Sequence, residues 1–354
     1  MNEETVTYYS AEQLTKVSRL LFEAEGVPEQ DAATIAEDLV AANVRGLDSH
    51  GISRMPMYLE RIRKQVVNPT PNIQVESITS AVSKVDADNG MGFLAGHIAM
   101  AEAVKLAEVS GIGLVGVQRS THYGMAAIYV MEAMKKGYIS MAYTNSSPAI
   151  PPWGGKTAYL GASPFAAAVP AGNESPYVLD MAMTVIARGK IRLAATNGEA
   201  IPEGLALDDD GAPTTDAKRA FEGVCLPFGG AKGSAFAMLM ELLSGVLTGA
   251  NYGGNVKSLY FDHSEPQNVG HLFIAIRPDL FVSDQEFHHR MDDFVQKTKS
   301  LPKAKGFDDI LIPGEPEEKT AQTRLKTGIP LSENVREELQ LELERYALDV
   351  SLLS

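Results

Sequence analysis

The stretch Gly111-Ile112-Gly113-Leu114-Val115-Gly116 constrains the fold most, because it has the spacing of a dinucleotide fingerprint in the wrong structural order. A G-x-G-x-x-G sequence holds a pyrophosphate only where a strand precedes it and a helix follows, since the helix N-terminus supplies the anion site. Here a helix of about Leu94 to Val109, carrying Ile98, Ala101, Val104 and Leu106, ends at Ser110 and a strand begins at Gly113. Gly111 reads as the helix C-cap. No Asp or Glu ends a second strand about 20 residues on, where a ribose contact belongs. The chain therefore reads as something other than a doubly wound nucleotide fold.

The rest of the pattern is helical at both ends and mixed between them. Ser10 reads as an N-cap, with Gln13 at the capping-box position and Leu14, Val17, Leu20 and Leu21 as the apolar stripe. A second helix starts at Pro28 and ends near Gly46, and a third covers about Arg54 to Lys64. Pro69 and Pro71 close this segment. From Ile73, β-rich runs at 82–85, 113–117, 139–143 and 166–169 alternate with turns. Helices are expected at Met125–Lys136 and 233–248, and the strand His271–Ile276 closes the region. Helices return from about Ser283, the last running from Glu333 to Tyr346 behind Ser332. These textures predict two units, residues 1–72 plus 283–354 and residues 73–282.

With 354 residues, 45% of them hydrophobic, the chain has length for two domains and a large core. A net charge of −14 without a basic stripe argues against nucleic acid. One cysteine, Cys225, rules out an internal disulfide and suits a reducing cytoplasm. The start, Met1-Asn2-Glu3-Glu4, does not read as a signal sequence, and the apolar runs are too short for a bilayer. The histidine spacing suggests no metal site, and one cysteine cannot build a zinc cage.

Chemistry concentrates first at Arg45-Gly46-Leu47-Asp48-Ser49-His50-Gly51-Ile52-Ser53-Arg54. Imidazole moves a proton near neutral pH, and guanidinium grips a carboxylate through two parallel hydrogen bonds. The plainer reading is a buried histidine satisfied by a neighbour, or an Asp48-Ser49 helix cap; the flanking arginines favour function. His122, in Ser120-Thr121-His122-Tyr123-Gly124-Met125, lies at a strand-to-helix turn and reads equally as a cap region or a cleft residue. His97 lies mid-helix, and His288-His289 reads as solvated. Asn145-Ser146-Ser147-Pro148 and Pro151-Pro152-Trp153-Gly154-Gly155-Lys156 follow a strand, as a pocket lining or a long turn. Asp180, at the end of another strand, reads either as the cap of the helix containing Ala187, Gly189 and Lys190 or as a ribose or amide contact. Phe228-Gly229-Gly230-Ala231-Lys232-Gly233-Ser234 is no Walker A, but its glycines, lysine and following helix make an anion site plausible.

Taken in order, these motifs, with Ile201-Pro202-Glu203-Gly204, Pro213-Thr214-Thr215-Asp216 and Pro313-Gly314-Glu315, resemble the malate/L-lactate dehydrogenase family of the second type. Sulfolactate and ureidoglycolate dehydrogenases, diketogulonate reductase and cyclic-imine reductases belong to it. The resemblance covers nearly the whole chain. It implies a non-Rossmann α/β fold of α+β character, with a mixed, largely antiparallel cofactor-binding sheet and a second, helical domain from both termini. It implies a homodimer and hydride transfer between NAD or NADP, with NAD slightly favoured, and C2 of a small 2-hydroxy or 2-oxo carboxylate. A cyclic imine carboxylate is the alternative substrate, and a non-catalytic ligand-binding protein the second alternative. It implies catalysis by His50 or His122 with Ser49 orienting, and a substrate carboxylate on Arg54 or Arg45. The implied cofactor contacts are Ser146, Pro148, Asp180, Met181, Ala182, Lys232, Gly314 and Glu315. Gly233-Ser234-Ala235 departs from the frequent Gly-Tyr-Gly, which bears on the cofactor pocket.

Overall fold

The computed structural model describes residues 6–353. Strand β1 (Val6–Tyr9) leads into helices α1 (Ala11–Ala24), α2 (Glu29–Val44) and α3 (Met55–Arg63). The middle supplies β2 (Gln74–Thr79), β3 (Val82–Asp86), α4 (Gly92–Ser110), β4 (Ile112–Ser120), α5 (Ala127–Lys135), β5 (Ile139–Thr144), β6 (Pro148–Ile150), β7 (Leu160–Gly161), β8 (Phe165–Val169) and β9 (Tyr177–Met181). Then come α6 (Arg188–Asn197), β10 (Ala206–Leu207), α7 (Ala217–Glu222), β11 (Val224–Cys225), α8 (Ala231–Glu241) and β12 (Val269–Ile276). Helices α9 (Asp284–Ser300) and α10 (Glu315–Thr327), strand β13 (Ile329–Ser332) and helix α11 (Glu333–Arg345) complete the order.

One seven-stranded sheet, ordered β2-β3-β4-β12-β5-β8-β9, dominates the fold. Only β3 and β4 pair in parallel; every other neighbouring pair is antiparallel. It follows that β4, β5 and β9 all point the same way, so their C-terminal ends open on one end of the sheet. That end carries the turns holding His122 and Ser146 and, within the last two residues of β9, Asp180. Strand β12 lies between β4 and β5, at the centre of the sheet rather than at its margin.

The order around Gly111 is as the sequence requires. Gly111 has φ +81° and caps α4, and β4 starts at the next residue. Helix α4 lays Ala95, Ala99, Ala103 and Ala107 against Val115, Val117 and Phe273. The small stripe lets the backbones approach: a Cβ on Gly113 would lie 1.9 Å from the Ala103 carbonyl oxygen. A second core joins Leu14, Leu21, Leu39 and Leu59 of the first helices to Leu339 and Leu343 of α11. A third, around Ile150, Ile191, Ala217 and Met240, lies under α6 to α8.

Several local expectations need correction. Ser10 accepts the Gln13 N–H at 3.1 Å, but the Gln13 side chain reaches the Leu352 carbonyl at 2.7 Å instead of closing a capping box. Ser332 occupies the N-cap of α11, at the end of β13, without a side-chain cap bond. Helix α8 stops at Glu241 and passes into a π-turn at Leu242–Val246. Helix α9 is tied through Asp292 to the backbone N–H groups of Gly172, Asn173 and Glu174, a contact on which the sequence is silent.

His97, unremarkable in the sequence, links three helices. Its Nε2 lies 2.7 Å from Asp38 of α2 and its Nδ1 2.9 Å from Glu132 of α5. Burial opposes the charge, but hydrogen bonds to both carboxylates win and raise the ring to about 10. The folded-state value thus lies above the unfolded one near 6.5. This contribution is fully present below about pH 6.5 and is lost as pH rises towards about 10. His97→Ala leaves the Asp38 carboxylate buried without its cation and is expected to cost about 3 kcal/mol at neutral pH. Urea unfolding at neutral and alkaline pH checks this: the wild type loses stability across that range, and the variant curve is flatter.

Candidate active site

The His50 motif forms two short turns, Asp48–His50 and Ile52–Arg54, between α2 and α3. They are locked from outside. Arg324 of α10 forks onto Asp48 at 2.6 and 2.9 Å, and Asn43 of α2 donates to Asp48 at 2.7 Å while accepting the Ile52 N–H at 2.8 Å. A Cβ at Gly51 would sit 2.0 Å from the Asn43 amide oxygen, so only glycine permits this approach. The Ser49 hydroxyl lies 3.0 Å from His50 Nδ1, and Arg54 Nε donates to the Ser49 carbonyl at 2.5 Å.

His122 reaches the same place from the end of β4. Its ring and that of His50 stack with centroids 5.9 Å apart and an interplanar angle of 22°. Tyr58 of α3 places its hydroxyl 2.6 Å from His122 Nδ1, and the Gly124 N–H donates to that nitrogen at 3.2 Å. Burial, then the Arg54 charge, lowers His50 to about 4. Burial, then His50 and Arg54, takes His122 well below its ordinary value. Both rings are neutral at neutral pH, and Arg54 is the positive charge beside them.

Three partners of this cluster, Tyr58, Arg61 and Tyr260, are not among the residues that the sequence singles out. Arg54, Tyr58 and Arg61 fall at i, i+4 and i+7, on one face of the turn into α3. That spacing was the available signal. Arg61 is 1% exposed and donates to the carbonyls of Ser258, Leu259 and Asp262 at 3.2, 3.4 and 3.3 Å. It thereby pins the loop leading to β12, which brings the Tyr260 ring to 5.2 Å from the Arg54 guanidinium carbon. Nothing in the local sequence marks Tyr260.

Ser49, His50, Arg54 and His122 are therefore brought together, but Arg45 is not. Gly46, at φ +86°, turns the chain after α2, and Arg45 pairs with Glu318 at 3.3 Å. It lines a separate cavity of about 230 Å³ with Asp180, Gly314 and Glu317. Asp180 accepts the Ala127 N–H at 2.8 Å, so it caps α5 and not α6 as its position in the chain suggested. Burial raises its carboxyl to about 6. Glu315 does not face this cavity; it pairs with Lys299 at 2.6 Å. Met181 ends β9 opposite Phe165, and Ala182 beyond it is exposed.

The Ser146 hydroxyl accepts the Ala162 N–H at 3.0 Å, and Pro148 pairs with Gly161. Lys232 is exposed in the first turn of α8, whose N-cap, Gly230, offers no side-chain cap. The departure at Ser234 has a local role: its hydroxyl accepts the backbone N–H of Trp153 at 2.8 Å, and the half-exposed indole lies beside Gly230. Free helix N-terminal N–H groups, a lysine and an aromatic plate suit a group that is both anionic and planar, and a dinucleotide fits that donor set. Among the described residues, no group of three His, Cys, Asp or Glu side chains could hold a metal ion, and no helix is long and apolar enough to cross a membrane.

A histidine pair beside an arginine and a separate lysine-bearing helix start, on a mixed non-Rossmann sheet, are the parts that acid/base chemistry on an anionic substrate needs. The family model for malate/L-lactate dehydrogenase matches residues 9–340. The L-sulfolactate dehydrogenase of Methanocaldococcus jannaschii is 41% identical over 325 residues, covering 92% of this chain and 93% of that protein. The solved structure of sulfolactate dehydrogenase from that organism superposes with a TM-score of 0.92 at 38% identity, covering 98% and 99% of the two chains. The (2R)-3-sulfolactate dehydrogenase (NADP(+)) of Chromohalobacter salexigens is 39% identical, covering 75% and 80%. The ureidoglycolate dehydrogenase (NAD(+)) of Escherichia coli is 34% identical, covering 88% of each. The chain belongs to the malate/L-lactate dehydrogenase family and is an oxidoreductase.

Proposed function

We propose that this enzyme moves a hydride between a nicotinamide dinucleotide and C2 of a small 2-hydroxy or 2-oxo carboxylate. The observation that carries the reading is Arg54 beside two stacked neutral histidines. A guanidinium fork holds the carboxylate and places C2 and its oxygen against the rings, supplying proximity and charge stabilisation. The bound dinucleotide supplies or accepts the hydride. His50 carries the hydroxyl proton, with Ser49 orienting its ring. A panel of pyruvate, oxaloacetate, sulfopyruvate, diketogulonate and piperideine carboxylate, each with NADH and with NADPH, tests the reading. Turnover of the cyclic imine alone moves the proton acceptor from oxygen to nitrogen. Cofactor binding without turnover across the panel leaves a ligand-binding protein.

The cofactor spans the Lys232 cradle, the Ser146 turn and the Asp180–Gly314 cavity, and NAD is favoured over NADP. Lys232→Ala is expected to raise the Kd of the reduced dinucleotide by about tenfold while leaving the KM of the 2-oxo acid nearly unchanged. Fluorescence titration at two salt concentrations measures it; an unchanged Kd removes Lys232 from the cofactor site. Two copies associate in the working enzyme. Support comes from an apolar face along α8 and its π-turn, where Phe236, Leu239, Leu242 and Val246 are each 42–53% exposed. Sedimentation gives the mass. The buried Cys225 suits a cytoplasmic setting.

A further inference from the structure

We propose that His122 acts as a neutral hydrogen-bond donor to the C2 oxygen, locked in that form by Gly124 and Tyr58, while His50 alone gains and loses the proton. The inference rests on the function proposed above and divides the labour of its two histidines. The deciding contact is the Gly124 N–H at 3.2 Å from His122 Nδ1. A backbone N–H only donates, so that nitrogen keeps its lone pair and the neutral ring carries its proton on Nε2. The Tyr58 hydroxyl, 2.6 Å from the same nitrogen, therefore donates to it as well. Protonating Nδ1 would set two N–H groups head to head and leave the Tyr58 hydroxyl to reverse.

Gly124 cannot yield. It holds φ +72°, and a Cβ there would meet the Phe93 ring at 2.4 Å. The charged and titratable groups facing His122 are His50, Arg54, Tyr58 and, from β12, His271. Arg54 and burial both disfavour a second positive charge on the ring.

His50 is placed differently. Its Nδ1 meets the Ser49 hydroxyl, which either donates or accepts, so the ring keeps its partner in both protonation states. With centroids 5.9 Å apart, one substrate oxygen comes within reach of a nitrogen from each ring. In reduction, a bound reduced nicotinamide would supply the hydride for the new C2–H bond, its own C–H bond breaking to leave it oxidised. The C=O π pair moves onto oxygen, and that oxygen takes the proton from His50, whose N–H bond breaks. His122 donates its hydrogen bond throughout and keeps its proton. A neutral imidazole is the stronger choice for this task, because it adds no positive charge beside Arg54. Tyr58 acts through His122 and is a positioning residue.

Two measurements test this. In the folded wild-type protein with 15N-labelled histidine, His122 is expected to show a protonated Nε2 and a bare Nδ1 from about pH 6 to pH 8. An Nδ1–H tautomer or an imidazolium in that range overturns the proposal, whatever the substrate proves to be. In kinetics, His122→Ala is expected to lose ~10²–10³ in kcat, and His122→Gln, which keeps an N–H donor, to recover about tenfold of it. The pH dependence of kcat/KM should survive in His122→Gln and vanish in His50→Gln. Tyr58→Phe should lower kcat by several-fold with little change in KM. Loss of the pH dependence in His122→Gln, with its retention in His50→Gln, reverses the two roles and overturns the inference while the oxidoreductase reading stands. Absence of turnover on every substrate tried would instead overturn the function, and the tautomer experiment would still stand on its own.

Discussion

Replacing His50 by alanine is expected to lower kcat by ~10²–10⁴, the usual effect of removing a positioned acid/base group. Cofactor affinity, measured separately, should change little, because the ring faces Ser49, Arg54 and His122 rather than the α8 cradle. The pH behaviour carries a definite sign. Burial and Arg54 hold the free-enzyme ring near 4, so oxidation, which needs a neutral base, has a kcat/KM that is flat through neutral pH and falls only towards about pH 4. Reduction needs the protonated ring, so its kcat/KM falls about tenfold per unit above that value. A bound carboxylate cancels the Arg54 charge and moves the corresponding limb of kcat upwards. Near-wild-type turnover in His50→Ala would reject His50 as the proton carrier.

Arg54→Lys is expected to raise the KM of the 2-oxo acid by about 10- to 100-fold, with a smaller change in kcat. A guanidinium offers two parallel donors to a carboxylate, and an ammonium offers one point charge. Losing a charge-assisted hydrogen bond costs about 1.5–3 kcal/mol, and about 1.4 kcal/mol is a factor of ten. Lysine also gives up the planar face against Tyr260 and the bond from Nε to the Ser49 carbonyl, so His50 is disturbed too. Steady-state kinetics on protein shown to be folded decide the matter. An unchanged KM makes Arg54 structural. Arg45 is a poor substitute, because it is engaged with Glu318 across a different cavity.

The site was partly legible before folding. Arg54, Ser49 and His50 stand within six residues of one another, so their juxtaposition is nearly a local property. His122 was legible as a turn residue, but its pairing with His50 was not, since it depends on where β4 ends relative to α3. Tyr58 and Arg61 were visible only as a helical spacing from Arg54. Asp180 shows the limit most clearly. Its neighbours in the chain pointed to α6, whereas folding hands its carboxylate to α5, whose first free N–H lies 53 residues back.

The sequence by itself determined the limits of the first three helices and of α11 to within two residues, the placement of Gly111 as a cap, the rejection of a doubly wound nucleotide fold and the chemical types at the His50 motif. These rest on caps, φ preferences and periodicity, which act over about four residues. Only the tertiary structure decided that β12 enters the middle of the sheet, that β1 pairs with β13, that Arg45 pairs with Glu318 away from the two histidines and that the 258–262 loop brings Tyr260 over Arg54. Those outcomes depend on closing long loops and on which buried donor finds which acceptor. Arg61 illustrates the reason: its guanidinium is 1% exposed, and its Nη1 donates to the carbonyls that the fold delivers there, those of Ser258, Leu259 and Asp262.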